Sequence, residues 1–306
     1  MKTPTLKTIL LLLASLAFFY DSSQTITTIA GNGTAAFAGD GGQAVLASLK
    51  NPGDICFDAN ANMYIADQGN HRVRKVTPSG IISTFAGTGS AGYSGDGGQA
   101  ASAQLNLPRW LYFDNASGNL YISEFGNSVI RKVNALGVIS TVAGTGVPPG
   151  GQMTFGGQAT STPIDSPSDV LIGPDKKLYF GVWNASYSRV IVVDTLGILS
   201  IFAGQDTPLN GPNVIKTTLF NPRGLMFDPA GNLYICDGDS YTIKKINTSG
   251  VSSIFAGNGL IAAPLSGDGG QATSAGIDMP TGIVIDAAGI VYFGSAGCTI
   301  RSVNTS

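Results

Sequence analysis

The sequence predicts an all-β fold, a five-bladed β-propeller built of four-stranded antiparallel blades. Two observations carry that expectation: an internal repeat, and the way the two ends of the chain complement one another. Five segments begin with Pro and reach a Tyr twelve or thirteen residues later: Pro52 to Tyr64, Pro108 to Tyr121, Pro167 to Tyr179, Pro222 to Tyr234 and Pro280 to Tyr292, with successive prolines 55 to 59 residues apart. Self-similarity at a near-constant period marks a repeat architecture. In the first copy the runs are Asp54-Ile-Cys-Phe-Asp58, Met63-Tyr-Ile-Ala-Asp67, Arg72-Val-Arg-Lys-Val76 and Ile81-Ile-Ser-Thr-Phe-Ala-Gly87. β-Branched and aromatic runs between Gly, Asn, Asp and Pro breakers read as short strands and tight turns. Four such strands repeated radially make a propeller blade.

The last copy holds only three strand runs and stops at Val303-Asn-Thr-Ser306. The missing fourth run is matched at the other end by Thr25-Ile-Thr-Thr-Ile-Ala-Gly31, with Thr25 opposite Ile81 and Ser306 opposite Ser79 in the alignment. The N-terminal strand is therefore expected to complete the last blade and close the ring, which removes two free sheet edges. Each blade takes roughly 57 residues, more than the roughly 40–50 usual for propeller repeats. The excess lies between one blade's fourth strand and the next blade's first. It reads Gly39-Asp-Gly-Gly-Gln-Ala44, Gly95-Asp-Gly-Gly-Gln-Ala100 and Gly267-Asp-Gly-Gly-Gln-Ala272, with a worn copy, Gly156-Gly-Gln-Ala159. Before the fourth blade it is replaced by Gly211-Pro-Asn-Val-Ile-Lys-Thr-Thr218.

Residues 1 to 23 stand apart. Lys2 and Lys7 precede an apolar run, Ile9 to Tyr20, and Asp21-Ser-Ser23 follow it. A basic start, about a dozen apolar residues and a small polar end have the form of a secretory signal. The run falls short of the roughly 20 residues of a membrane span, and the alternative is an uncleaved anchor. The expected organisation is a signal over 1–23 and a propeller over 24–306, in a secreted, extracellular or periplasmic protein. A membrane partner follows only if the first segment stays in place.

Composition narrows the function classes. Of 306 residues 42 are Gly, 12% are charged, and the net charge is −2. With no Lys/Arg cluster to neutralise phosphates, a nucleic-acid partner is not expected. The three cysteines, Cys56, Cys236 and Cys298, are far apart, so no zinc-type spacing exists, and at most one internal bridge can form. His71 is the single histidine, which excludes sites built on two or more imidazoles.

The copies carrying Asn-x-Tyr-Ile-Ala-Asp-x-x-Asn-His-Arg-Val-Arg-Lys-Val resemble NHL repeats, with Asn70-His71-Arg72 as the nearest match to the motif. The phrase Phe-Ala-Gly-Thr-Gly followed by Gly-Asp-Gly-Gly-Gln-Ala is similar to the NHL repeats of secreted and cell-surface proteins such as teneurins. The resemblance covers residues 25–306. It implies the propeller fold, usually with six blades, and for function it implies binding platforms more often than enzymes.

Function concentrates on loops held by a rigid scaffold. In a four-stranded blade, the crossing to the next blade and the second-to-third turn are expected on one face. Residues just after each Pro enter the innermost strand and ring the channel mouth there. They include Asp54, Arg109, Trp110, Asp169 and Arg223. Arg forks suit carboxylate, sulfate or phosphate, and Trp suits a sugar or aromatic face. The competing reading is that the arginines simply pair with Asp54 and Asp169 and plug the channel. Trp183, Asn184 and His71 are further candidates for contacts on this face. Asp67, Glu124 and Asp237 end second strands, and a ring of carboxylates could hold Ca²⁺. Alternatively each bonds its own turn.

The leading expectation is a binding module for a protein, glycan or small anionic ligand, acting through the face with the Gly-Asp-Gly-Gly loops and needing no cofactor. The alternative is a propeller enzyme, either a Ca²⁺-dependent lactonase-like hydrolase or a lyase of the amidating type.

Overall fold

The computed structural model describes residues 26–148, 153–183, 188–204, 214–261, 266–296 and 299–304. Residues 1–23, Asn184 and Cys298 lie outside the described residues.

Five sheets follow one another along the chain. Blade 1 holds β1 (Pro52–Phe57), β2 (Met63–Asp67), β3 (Arg72–Val76) and β4 (Ile82–Ala86). Blade 2 holds β5 (Pro108–Asp114), β6 (Asn119–Glu124), β7 (Val129–Val133) and β8 (Ile139–Ala143). Blade 3 holds β9 (Pro167–Ile172), β10 (Leu178–Trp183), β11 (Ser188–Val193) and β12 (Leu199–Gly204), with a parallel fifth strand, β13 (Ile215–Lys216). Blade 4 holds β14 (Pro222–Phe227), β15 (Leu233–Asp237), β16 (Thr242–Ile246) and β17 (Ser252–Ala256). Blade 5 has three strands, β18 (Pro280–Ile285), β19 (Val291–Ser295) and β20 (Thr299–Val303). The innermost strands β1, β5, β9, β14 and β18 are neighbours in that order. The protein is a five-bladed all-β propeller.

The conserved spacing of Pro and Tyr within each copy has a packing cause. The Tyr64 ring meets Phe85 of its own blade edge-on at 4.9 Å and stacks at 5.2 Å on Phe113 of the next blade. Tyr179 meets both Phe202 of its own blade, at 5.0 Å, and Phe227 of the next, at 5.1 Å, edge-on. Such pairs add about 0.5–1.5 kcal/mol beyond their buried area. The hydroxyl of Tyr64 donates to Asp58, whose carboxylate also accepts from Asn60 and Asn62, so the Asp after the first strand is turn chemistry.

The Phe-Ala-Gly phrase ends a fourth strand on a residue that only glycine fits. Gly87 has φ +93°, and a Cβ there would lie 2.4 Å from the carbonyl oxygen of His71. Gly87→Ala is expected to cost about 1–3 kcal/mol, seen as a lower urea midpoint at unchanged slope.

Two expectations are corrected. The first concerns the glycine-rich segments, which do not sit as loops on the channel-mouth face. They run along the outer edge of the blade they precede: Gly41 N–H donates to Ile82 O, Ile82 N–H to Gly42 O and Ala44 N–H to Gly80 O. The segments enter left-handed glycines (Gly39, φ +93°), and these let the chain turn down along the strand.

The second concerns the last blade, which among the described residues has no fourth strand: residues 26–30 form none, and Ile26 is fully exposed. Blades 5 and 1 lack the packing seen at the other joints, because Ile55 is 49% exposed whereas its equivalents Leu111, Val170, Leu225 and Ile283 are buried.

Candidate functional site

The channel mouth is built by the first residues of the innermost strands. A cavity of about 470 Å³ opens there, lined by Asp54, Arg109, Trp110, Asp169 and Arg223 together with one wall of blade 5. Five of the residues singled out in the sequence are therefore gathered in one place. Trp183, 39% exposed at the end of β10, and His71 are not among its lining residues.

The two acids are already engaged. Asp54 accepts the N–H of Ile55 and, across the joint, that of Leu111 at 2.8 Å. Asp169 repeats this with Val170 and with Leu225 of the next blade at 2.9 Å. Each carboxyl is thus a strut between neighbouring innermost strands. Burial pushes Asp54 up to about 6. Burial, with the charge of Asp54 added, pushes Asp169 up to about 8. At neutral pH Asp169 therefore favours its neutral form while Asp54 is mostly ionised, so one carboxylate charge stands against the two arginines.

Those arginines are not spent on the acids. Among the described residues, no carboxylate lies within ion-pair distance of Arg109 or Arg223. Arg109 lies with its guanidinium carbon 4.3 Å from the Trp110 ring centre and 5.7 Å from that of Phe125. Burial, and then the Arg223 charge, lower its affinity for its own proton, so the two cations sense one another. A pair of half-buried guanidiniums beside an indole face suits a ligand carrying an acid group.

Asp67, Glu124 and Asp237 do not form a ring. Each is fully buried in its own blade and paired with a cation there: Asp67 with Arg74 at 3.3 Å, Glu124 with Arg131 at 3.2 Å, Asp237 with Lys244 at 2.9 Å. The arginines continue outward to the glycine-rich segments, Arg74 to Asp40 at 2.5 Å and Arg131 to Asp96 at 2.6 Å. Thr84 closes the set by donating to Asp40 at 2.6 Å. The aspartates among the glycines thus clamp the segment to its blade. Among the described residues, no three His, Cys, Asp or Glu side chains are grouped as a metal ion would require.

His71 joins two blades. Its Nδ1 accepts the N–H of Leu107 at 3.2 Å, and Leu107 holds a left-handed φ of 49° just before Pro108. Burial, then Lys50 and Arg72, lower the imidazole's pKa, which favours the neutral ring that this acceptor role needs.

Sequence reasoning missed the blade-5 wall of the cavity, formed by Ile283, Val284, Tyr292, Phe293 and Ile300. Within it Val284 and Ile300 are exposed, whereas Ile283 and Phe293 are buried.

No family model matches the chain. Mouse teneurin-1 is 27% identical over 282 residues, covering 79% of this chain and 10% of that protein. Chicken NHL repeat-containing protein 2 is 26% identical over 221 residues, covering 64% of this chain and 30% of that protein. The chain is a five-bladed propeller similar to NHL-repeat proteins. The chain spans less than a third of the length of either relative. Among solved structures, a chain of the nidogen–laminin complex shares the fold with a TM-score of 0.54 at 14% identity, over 80% of this chain and 72% of that one. No helix among the described residues is long and apolar enough to cross a membrane.

Proposed function

We propose that the protein is a binding module whose site is the channel mouth, taking a ligand that presents a carboxylate, sulfate or phosphate. The observation that carries this reading is the pair Arg109 and Arg223, open to one cavity and without an acid partner among the described residues, beside Trp110. The nearby acids do not oppose an anion fully, because Asp169 holds its proton up to about 8. The acid group could belong to a small molecule, a glycan or a protein side chain. The teneurin relatives favour a secreted or cell-surface setting.

Calorimetric titration with citrate, a sulfated disaccharide and an acidic peptide separates these sources. Arg109→Ala and Arg223→Ala are each expected to weaken the binding probe tenfold or more, the scale of one charge-assisted hydrogen bond. Unchanged affinity in the double variant would remove the site from the channel mouth. A Ca²⁺ titration in parallel addresses the hydrolase alternative, which requires saturable Ca²⁺ binding.

A further inference from the structure

The joint between blades 2 and 3 is built differently from its neighbours. After blades 1 and 3 the repeat tyrosine sits between two phenylalanines, Tyr64 between Phe85 and Phe113, Tyr179 between Phe202 and Phe227. After blade 2 both of those rings are missing. Val142 stands where β4 and β12 carry Phe85 and Phe202, and Ile172 stands where β5 and β14 carry Phe113 and Phe227. The second copy is also the one with thirteen residues from Pro to Tyr, against twelve in the other four. The extra residue lies in the turn from β5 to β6, and it uncouples the tyrosine from its acid. Tyr64, Tyr179, Tyr234 and Tyr292 each donate a hydroxyl proton to the acid of that turn, Asp58, Asp175, Asp228 and Asp286. Among the described residues Tyr121 makes no such bond. Asp114 accepts instead from Ala116 N–H and the Ser117 hydroxyl. The Asn119 side chain bonds the Tyr121 hydroxyl.

The space left by the two rings is not refilled. A cavity of about 690 Å³ opens there, between the turns that follow β5 and β9 and the end of β14. Its walls include the rings of Tyr112, Tyr121 and Phe227 and the side chain of Ile172, with Asn119 and Lys176 among its polar groups. Tyr112 takes the position held by Cys56, Leu171, Met226 and Val284 in the other copies. Its ring lies 6.5 Å from that of Tyr121, tilted by 43°, and one ring does not replace two. Tyr64, Tyr179 and Tyr234 are buried, whereas Tyr112 and Tyr121 remain half-buried. A concave site of this size, mainly apolar and with a few polar groups, is the form that small-molecule sites take. The missing partners define the shape of the occupant, a flat six-membered ring. The hydroxyl of Tyr121 defines its polar end: a bond accepted from Asn119 leaves the O–H proton to donate.

We propose that this cavity is a second binding site, taking a ligand that presents a phenol ring. The ring occupies the place of the absent phenylalanines against Tyr112 and Tyr121, and its hydroxyl accepts from the Tyr121 hydroxyl. An unfilled gap between packed elements costs stability, and a ligand ring restores the aromatic contacts that the other joints have. The site does not rest on the channel-mouth reading. Strand β5 carries Arg109 and Trp110 at its first end and Asp114 at its last, so the two cavities open at opposite ends of the same strand.

The test is a chemical-shift titration of the full chain with p-cresol, followed at the methyl groups of Val142 and Ile172. Saturable shifts of both are expected. 4-Methylcyclohexanol, of similar size but without an aromatic face, is expected to bind about tenfold or more weakly, the scale of one good aromatic pair. Ile172→Phe restores a ring to the joint. It is expected to weaken p-cresol binding by about tenfold or more, read at the Val142 methyls, and to keep or raise the thermal midpoint. Acetyl-tyrosine amide is the arm for a phenol borne on a partner's chain: weaker binding than p-cresol assigns the site to free small molecules, and tighter binding assigns the phenol to a tyrosine side chain. Absence of saturable shifts overturns the proposal, as does equal affinity for 4-methylcyclohexanol or unchanged p-cresol affinity in Ile172→Phe. Failure of both Ile172→Phe and Val142→Phe to fold overturns it too, because the joint would then have no room for a ring.

Discussion

Arg131→Ala is expected to cost about 3–5 kcal/mol of folding stability, the usual result of breaking a buried ion pair from one side. Arg131 is fully buried and reaches Glu124 at 3.2 Å, Asp96 at 2.6 Å and the Ser94 carbonyl at 3.2 Å. Removing it strands Glu124, a fully buried carboxyl that burial already pushes up to about 7 with the arginine present. It also frees the glycine-rich segment from its blade. Native domains hold only about 5–15 kcal/mol in total, so the urea midpoint falls steeply. Glu124→Gln in the same chain is expected to recover part of the loss, because a neutral amide no longer needs a counter-charge. Arg131→Lys is expected to be milder, since Lys244 serves Asp237 at the equivalent place in blade 4. A loss under about 1 kcal/mol for Arg131→Ala would mean that the clamp contributes only what a surface ion pair does.

The protein is expected to lose stability as pH rises from about 4 to about 8. Asp54, Glu124 and Asp169 titrate in the folded chain near 6, 7 and 8, all above their ordinary values. Between its ordinary and its folded value, each group holds a proton when folded that it has lost when unfolded. Raising the pH across that interval therefore favours the unfolded chain. One proton of difference amounts to about 1.4 kcal/mol per pH unit. Above about 7 only Asp169 of the three still contributes fully, so Asp169→Asn is expected to flatten the slope between pH 7 and 8 and leave it steep below 6. Denaturation midpoints measured in half-unit pH steps give the answer. An unchanged slope in Asp169→Asn would show that the strut carboxylate is already ionised when folded.

The repeat was legible because its residues act within one blade or across one joint of fixed geometry. Pro52 starts the strand, Tyr64 fills the joint and Gly87 ends the edge strand, and each recurs because each blade needs it. The channel-mouth residues were legible by position alone, since whatever follows each Pro must face the axis. What Asp54 and Asp169 do there was not legible, because their partners, Leu111 and Leu225, are 57 and 56 residues away and meet them only once the blades are stacked. The same distance hid the acceptor role of His71 toward Leu107, 36 residues on. The glycine-rich segments misled because Asp and Gly read as a loop. That the segment lies flat along a strand follows from Arg74 and Arg131, whose guanidiniums reach out from the third strand to hold Asp40 and Asp96.

The glycine-rich segments also decide how these molecules meet one another. A sheet edge left bare invites the edge of another molecule, and a ring of five blades multiplies the invitation. In blades 1, 2 and 3 the outermost strand is already bonded to backbone from its own chain, with glycines that offer an incoming strand little to pack on. Blade 4 lacks the segment. Among the described residues, no backbone of the chain pairs along the outer edge of β17, where Ile254 is 50% exposed. If concentrated solutions of this protein aggregate through strand-to-strand contact, growth is expected to begin at the bare edges of β17, Ser252–Ala256, and of β20, Thr299–Val303, and charges at Ile254 and Ile300 are the gatekeepers that would prevent it.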